Sequence, residues 1–334
     1  MDLNPVISML GRRLRLAVIG GGPTGVGFAG ALAELERAGH EVFPTAASMA
    51  ITQDKFTQKQ ALQRAGIAVP EFLEVATPED IAAAAQKLGW PMLLKTRRNG
   101  YDGKGNFTLR SPADVPTGYA ALGGGRNALM VEAFFPFVRE LAVIVTRGRD
   151  GGTVVYPVVE TIQRDHVCHV VKAPAEIPAE LAARAGDMAR RAVEAVGGIG
   201  SFGVEMFLSA SGELAVNELA PRVHNSGHYT IEACECSQFE NHVRAVLGWP
   251  LGSPRLVAPA AVMLNLLGTA KAPGRPVGLE AALRVPGAHV HLYGKATSGA
   301  GRKMGHVTTL GDSVSEALAR AEQAARMIQF RDSA

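Results

Sequence analysis

The sequence predicts an α/β (α+β) protein built in three parts, and three observations predict it. A short apolar run at residues 14–20 feeds a glycine turn and then a helical stretch, which is strand, turn and helix. From Gln53 to about residue 255, helical and strand periodicities follow one another with turn signals between them. After Pro250 the texture changes to short β-rich pieces ahead of one last amphipathic helix. The expected parts are an abbreviated βα unit over 1–52, a central domain over 53–255 with a lid at about 90–160, and a β-rich C-terminal domain over 256–334.

Each element has a local reason. The first helix is expected to run through Ala38, with residues 41–43 as a second strand and room for little else before Gln53. Residues 54–65 read as a helix stopped by Gly66, and Thr77-Pro78-Glu79-Asp80 opens another with Thr77 as N-cap. Residues 90–95 and 107–109 read as strands around a loop rich in glycine and charge. Residues 129–134 and 140–146 read as strands joined through Pro136, and 154–160 as one more. A long amphipathic helix is expected over 178–196, ended by Gly197-Gly198. Residues 202–209 and 214–218 form a hairpin, and 231–247 a helix. Strands at 261–267, 288–293 and 305–309 precede a helix over 314–328.

Composition excludes several classes of function. In 334 residues, 34 basic side chains face 31 acidic ones, so the charge of +3 gives no reason to expect nucleic acid or an anionic membrane as partner. No apolar run reaches the ~18–20 residues of a membrane span. Arg12, Arg13 and Arg15 follow the apolar start, the wrong order for a secretory signal. Cys168, Cys234 and Cys236 make neither a disulfide framework nor a zinc quartet. A soluble, cytoplasmic protein is expected.

Four constellations carry chemistry. Lys95 precedes Gly100-Tyr101-Asp102-Gly103-Lys104-Gly105-Asn106. A lysine at a strand end suits phosphate oxygens, and glycines let backbone N–H groups close over them. A charged hairpin turn explains the same residues. In the 202–218 hairpin, pairing Ser209 with Leu214 sets Glu205 opposite Glu218 on one face. Two such carboxylates repel unless a cation lies between them, and magnesium suits that position. Asn217 falls on the other face unless a bulge turns it, and two solvent-facing glutamates are the plain alternative. Pro221-Arg222-Val223-His224-Asn225-Ser226-Gly227-His228 gathers an arginine, two imidazoles, an amide and a hydroxyl, a set for binding anions and handling protons. Glu132-Ala133-Phe134-Phe135 with Glu140 has the form of a hinge whose backbone reads an adenine edge, or simply of core.

Taken in order from Gln53 to Met304, these segments resemble the ATP-grasp family, and within it the 5-(carboxyamino)imidazole ribonucleotide synthases. The stretches that carry the resemblance begin with Thr52-Gln53-Asp54-Lys55, Lys95-Thr96-Arg97-Arg98-Asn99-Gly100 and Phe137-Val138-Arg139-Glu140. They continue with Phe202-Gly203-Val204-Glu205, Asn217-Glu218-Leu219-Ala220-Pro221-Arg222, Leu292-Tyr293-Gly294-Lys295 and Gly301-Arg302-Lys303-Met304. The resemblance implies an ATP-grasp fold with a truncated doubly wound N-terminal domain and a small β-rich C-terminal domain. It implies that Lys55 and Lys95 hold ATP phosphates, that residues 100–106 are the lid, and that Glu132, Ala133, Phe134 and Phe135 contact adenine. Glu140 would meet the ribose, Gln163 and Asn217 would help bind the nucleotide, and Glu205 and Glu218 would bind magnesium or manganese. Arg222, His224, Lys295 and Arg302 would be catalytic, while Asn225, Ser226, His228 and Lys303 would bind substrate. The implied reaction carboxylates aminoimidazole ribonucleotide with bicarbonate through carboxyphosphate, in a homodimer that meets neither nucleic acid nor membrane.

The chain departs from that family in identifiable places. It passes from the first helix almost directly to Glu41-Val42-Phe43-Pro44, without the family's Glu-Phe-Glu stretch. The usual Gly-Gly-Gly-Gln-Leu-Gly-Arg turn is Gly-Gly-Gly-Pro-Thr-Gly-Val, Gln163 stands where histidine is usual, and residues 297–301 lack an arginine-proline pair. A non-catalytic ATP-binding relative is therefore the main rival reading. Other ATP-grasp ligases, of the carbamoyl-phosphate or amino-acid type, are a second. A flavin or nicotinamide oxidoreductase, argued from Gly20, Gly22 and Gly25, would need Glu41 as its acid, at the start of the second strand and not its end.

Overall fold

The computed structural model describes residues 15–17, 28–100 and 105–331. The glycine turn at 20–25 and the lid residues Tyr101, Asp102, Gly103 and Lys104 lie outside them. The strand Arg15–Ala17 pairs in parallel with Glu41–Phe43, and the helix Phe28–Arg37 connects them. A further helix, Ala46–Thr52, fits between this unit and Gln53, where the sequence left room for little else.

A small antiparallel sheet follows, in the order Phe72–Val75, Leu129–Ala133, Met92–Thr96, Asn106–Leu109. The helix Pro78–Leu88 covers it, started by the predicted Thr77 cap with a reciprocal Asp80 contact. The small sheet thus lies within 72–133, and the expected lid range of about 90–160 straddles it and the first strands of a larger one.

The described residues place nine strands in the large sheet. Its main path runs Leu214–Ala220, Gly200–Ser209, Phe137–Arg147, Val159–Arg164, Val167–Ala173, Ala260–Leu267, Lys303–Gly311, Ala288–Leu292, with Thr153–Val155 paired beside Phe137–Arg147. The run 141–145 is apolar without alternation because both faces are covered. Leu141, Val143 and Val145 meet the helix Ala179–Ala195, while Ala142 and Ile144 meet Tyr156 and Tyr229. That helix approaches closely because it turns Ala185, Ala189, Ala192 and Val193 inward. The C-terminal helix Val314–Met327 packs on Ala260–Leu267 and Lys303–Gly311, which extend the same sheet.

Three expectations need correction. Residues 231–247 are not one helix: Thr230–Ala233 stops where Cys234 turns extended to bridge Leu256, and Ser237 caps a new helix, Gln238–Leu247. Residues 154–160 split around Pro157 into two strands. The strand Val167–Ala173 went unpredicted, because the turn joining it to Val159–Arg164 uses Asp165 and His166 at positive φ and not glycine.

Candidate active site

The cleft is built where the helix Lys55–Arg64 meets the small sheet and the edge of the large one. Asp54 caps that helix, accepting from the N–H groups of Phe56 and Thr57, and holds Arg97 at 2.9 Å and Arg98 at 3.2 Å. Lys55 N–H donates to the Arg97 carbonyl at 2.8 Å, so the helix start and the root of the glycine loop are one unit. The loop's ends are pinched together. Thr96 N–H donates to the Gly105 carbonyl at 2.8 Å, and a Cβ on Gly105, at φ +84°, would lie 2.4 Å from Thr96 Oγ1.

Three lysines gather around two carboxylates, Glu132 and Glu218. Glu132 is fully buried, 3.0 Å from Lys59 Nζ and 2.6 Å from Lys95 Nζ. Burial alone would raise its pKa, but the two ammonium groups hold it at about 2. Lys55 pairs with Glu218; burial and then the charge of Lys95 push its pKa down to about 8. Lys59 is pushed down to about 8 chiefly by burial. Lys59 and Lys95 on Glu132, with Lys55 beside them on Glu218, make a basin suited to polyphosphate.

Glu205 stands directly opposite Glu218, as predicted, but by a different route. Leu208 and not Ser209 faces Leu214, and a β-bulge at Asn217 restores the pairing at Glu205. The bulge also turns the Asn217 side chain into the cleft, 3.4 Å from Lys95 Nζ, while Lys59 holds its carbonyl at 3.0 Å. Glu140 lies on the same face; burial and then Glu205 push its pKa up to about 7, against a hydrogen bond from Gln163 at 3.1 Å.

The loop 222–228 closes the far side. His224 packs over Gly203, bonds Ser226 Oγ through Nδ1 at 2.8 Å and places Nε2 3.5 Å from Glu205. Burial, then Arg222, Lys303 and His228, keeps it well below the usual histidine range. Gly203 has a stated purpose here, since a Cβ would sit 2.5 Å from the His224 side chain. Gly203→Ala should displace His224 and lower turnover about tenfold or more at a stability cost of ~1–3 kcal/mol. An unchanged rate with normal melting would dismiss that role.

Residues 60–239 match the ATP-grasp domain family. The chain belongs to the ATP-grasp family. Residues 261–320 match the phosphoribosylaminoimidazole carboxylase C-terminal domain. Phosphoribosylaminoimidazole carboxylase of Schizosaccharomyces pombe is 46% identical over 280 residues, 82% of this chain and 50% of that protein. N5-carboxyaminoimidazole ribonucleotide synthase of Synechococcus elongatus is 43% identical over 299 residues, 89% of this chain and 75% of that protein, so the chain belongs to that branch. It spans about half the length of the first fungal and plant relatives it matches. The Thermotoga maritima synthetase superposes with TM-score 0.80 at 39% identity, over 91% of this chain and 79% of that one. The Aspergillus clavatus synthase, solved with ADP and 5-aminoimidazole ribonucleotide, gives TM-score 0.81 at 36% identity, over 89% and 79%.

The cleft brings Lys55, Lys95, Asn217, Glu218, Glu205, His224 and Ser226 together. The Glu132 side chain is sealed between Lys59 and Lys95, which leaves the backbone of this segment as the part that can reach a ligand. Phe135 and Phe137 stack on Phe207 at 5.9 and 4.7 Å. Asn225 is engaged in a reciprocal amide pair with Asn265, at 3.0 and 2.7 Å. Lys303 lies near His224 and His228. Lys295 donates to the Lys303 carbonyl, and Arg302 grips Thr297 at 2.8 Å in an exposed turn. Gly100 and Asn106 flank the undescribed lid residues. Sequence reading missed Lys59, whose signal was its position one helical turn after Lys55. It also missed Gln58, which bonds both N–H and C=O of Leu219 and so ties this helix to the sheet edge.

Burial also leaves several histidines neutral. It pushes His228 and His242 down to about 4 and His306 to about 2. Their folded-state values lie below the unfolded one, so the unfolded chain takes up protons first as pH falls. The melting temperature should therefore decline from about pH 6.5 toward pH 4; a flat profile across that window would contradict these assignments.

Proposed function

We propose that the protein is an ATP-dependent carbon–nitrogen ligase that carboxylates 5-aminoimidazole ribonucleotide with bicarbonate in purine biosynthesis. The products are N5-carboxyaminoimidazole ribonucleotide, ADP and phosphate. The observation that carries this reading is the contact of His224 with Glu205, which joins the anion-handling loop to the carboxylate pair beside the lysine basin.

Lys55 and Lys95 would neutralise phosphate oxygens of ATP, and the backbone after Glu132 would face adenine. Glu205 and Glu218, opposed on one hairpin, form a hard oxygen pair that fits magnesium, or manganese in its place. When bound, that ion supplies charge neutralisation for the transferring phosphoryl group. A bicarbonate oxygen attacks the γ-phosphorus and ADP leaves, giving carboxyphosphate, which then splits to carbon dioxide and phosphate. The exocyclic amine attacks that carbon and loses a proton. Arg222 and Lys303 would hold the anions, and the closed loop would exclude water meanwhile. We also place the protein in the cytoplasm as a homodimer, which sedimentation at the mass of a single chain would refute.

ADP release tests the reaction. It should require bicarbonate and rise when aminoimidazole ribonucleotide is added. ATP binding without bicarbonate-dependent turnover would instead favour a non-catalytic relative.

A further inference from the structure

Gln238 opens the helix Gln238–Leu247, fully buried beneath the 222–228 loop. Its side-chain amide has one possible orientation. The His224 N–H can only donate, so the atom 2.9 Å away is Oε1; the His224 carbonyl can only accept, so its partner at 2.8 Å is Nε2. The second hydrogen on that Nε2 faces Nδ1 of His228 at 3.1 Å. A ring nitrogen that meets an N–H must accept, so Nδ1 of His228 carries no proton. The amide is also held in place. Thr230 Oγ1 accepts from the Gln238 backbone N–H at 3.0 Å, and a Cβ on Gly227 would lie 2.6 Å from Gln238 Oε1.

The groups around the ring favour the same state. Lys303 and His306 face it from Lys303–Gly311, His291 from Ala288–Leu292 with Glu232 bonded behind it, and Tyr293 from just beyond that strand. Arg222 and His224 face it from its own loop, and Phe239 packs at 5.4 Å. Burial and the neighbouring cations disfavour the imidazolium. Nε2 makes no hydrogen bond among the described residues.

We propose that Gln238 is a positioning residue that fixes His228 as the neutral imidazole protonated on Nε2, and that this N–H is presented to a substrate oxyanion held near Arg222 and Lys303. The identity of that oxyanion, a carboxylate or phosphate oxygen, rests on the ligase reading. The tautomer does not.

The test starts with histidine-labelled native protein, free of substrate, observed by long-range proton–nitrogen NMR and assigned with His228→Asn. His228 should be protonated on Nε2 and not on Nδ1 across neutral pH. Gln238→Glu replaces the donor by a carboxylate, which draws the neutral ring's proton to Nδ1 and raises its pKa. Above that raised pKa, Nε2 then becomes an acceptor. The KM of this variant for bicarbonate or for the ribonucleotide should rise about tenfold there and recover below it, while the native KM stays flat. The KM that responds identifies the anion. A native ring protonated on Nδ1 overturns the proposal even if the variant fails to fold, and so does a folded variant with unchanged tautomer and KM. An Nε2-protonated ring in a protein without bicarbonate-dependent turnover would refute the ligase and leave the Gln238 assignment standing.

Discussion

Glu218→Gln should cut ADP release by at least about 100-fold while the protein still folds, because removing one of two opposed carboxylates forfeits several kcal/mol of charge stabilisation. Glutamine keeps the size of the side chain and a hydrogen bond to Lys55, so the hairpin register has no reason to change. What is lost is the negative charge that balances Lys55 and stands opposite Glu205. The magnesium concentration needed for half-maximal rate should rise in parallel. Full activity in the variant would remove both the metal assignment and the ligase reading that depends on it.

Glu132→Gln should act on stability first. The substitution leaves Lys59 and Lys95 buried without their shared counter-ion. Breaking a buried pair from one side costs ~3–5 kcal/mol, which for a chain of this size lowers the melting temperature on the order of 10 °C. The pH dependence gives a second check. Lys59 releases its proton near pH 8 in the native protein and at a lower pH once Glu132 is gone, so the gap between variant and native should narrow as pH rises toward 8 and stay constant above it. A melting temperature equal to the native one would show that Glu132 does not organise the lysines.

Much of the site was legible because its residues follow strand alternation or lie next to one another in sequence. Glu205 and Glu218 could be set opposite each other by counting along a hairpin, and Arg222, His224 and Ser226 fall within one loop. The bulge could not be counted. It depends on Lys59 taking the Asn217 carbonyl from a helix far back in the chain. The burial of the Glu132 side chain was not legible for a related reason. Its pattern is that of a strand end, and only the packing of two lysines from different elements shows that the carboxylate is sealed. Gln238 carried no local signal at all, since its partners are the backbone and ring of a loop 10 and 14 positions earlier. The broken helix at 230–247 is a tertiary effect too: amphipathic spacing runs through Cys234, but the bridge to Leu256 pulls that residue into extended form.

The hydrogen-bonded ladder that begins at Leu214–Ala220 continues without a gap to Ala288–Leu292, and Val167–Ala173 joins Ala260–Leu267 across the point where the sequence changes texture. Severing the chain near Arg255 would therefore uncover two raw β margins, each lined with apolar side chains such as Val171 and Met263. Neither fragment has a rim designed to meet water, so separately produced halves should clump on their own and become soluble only when co-expressed and reannealed.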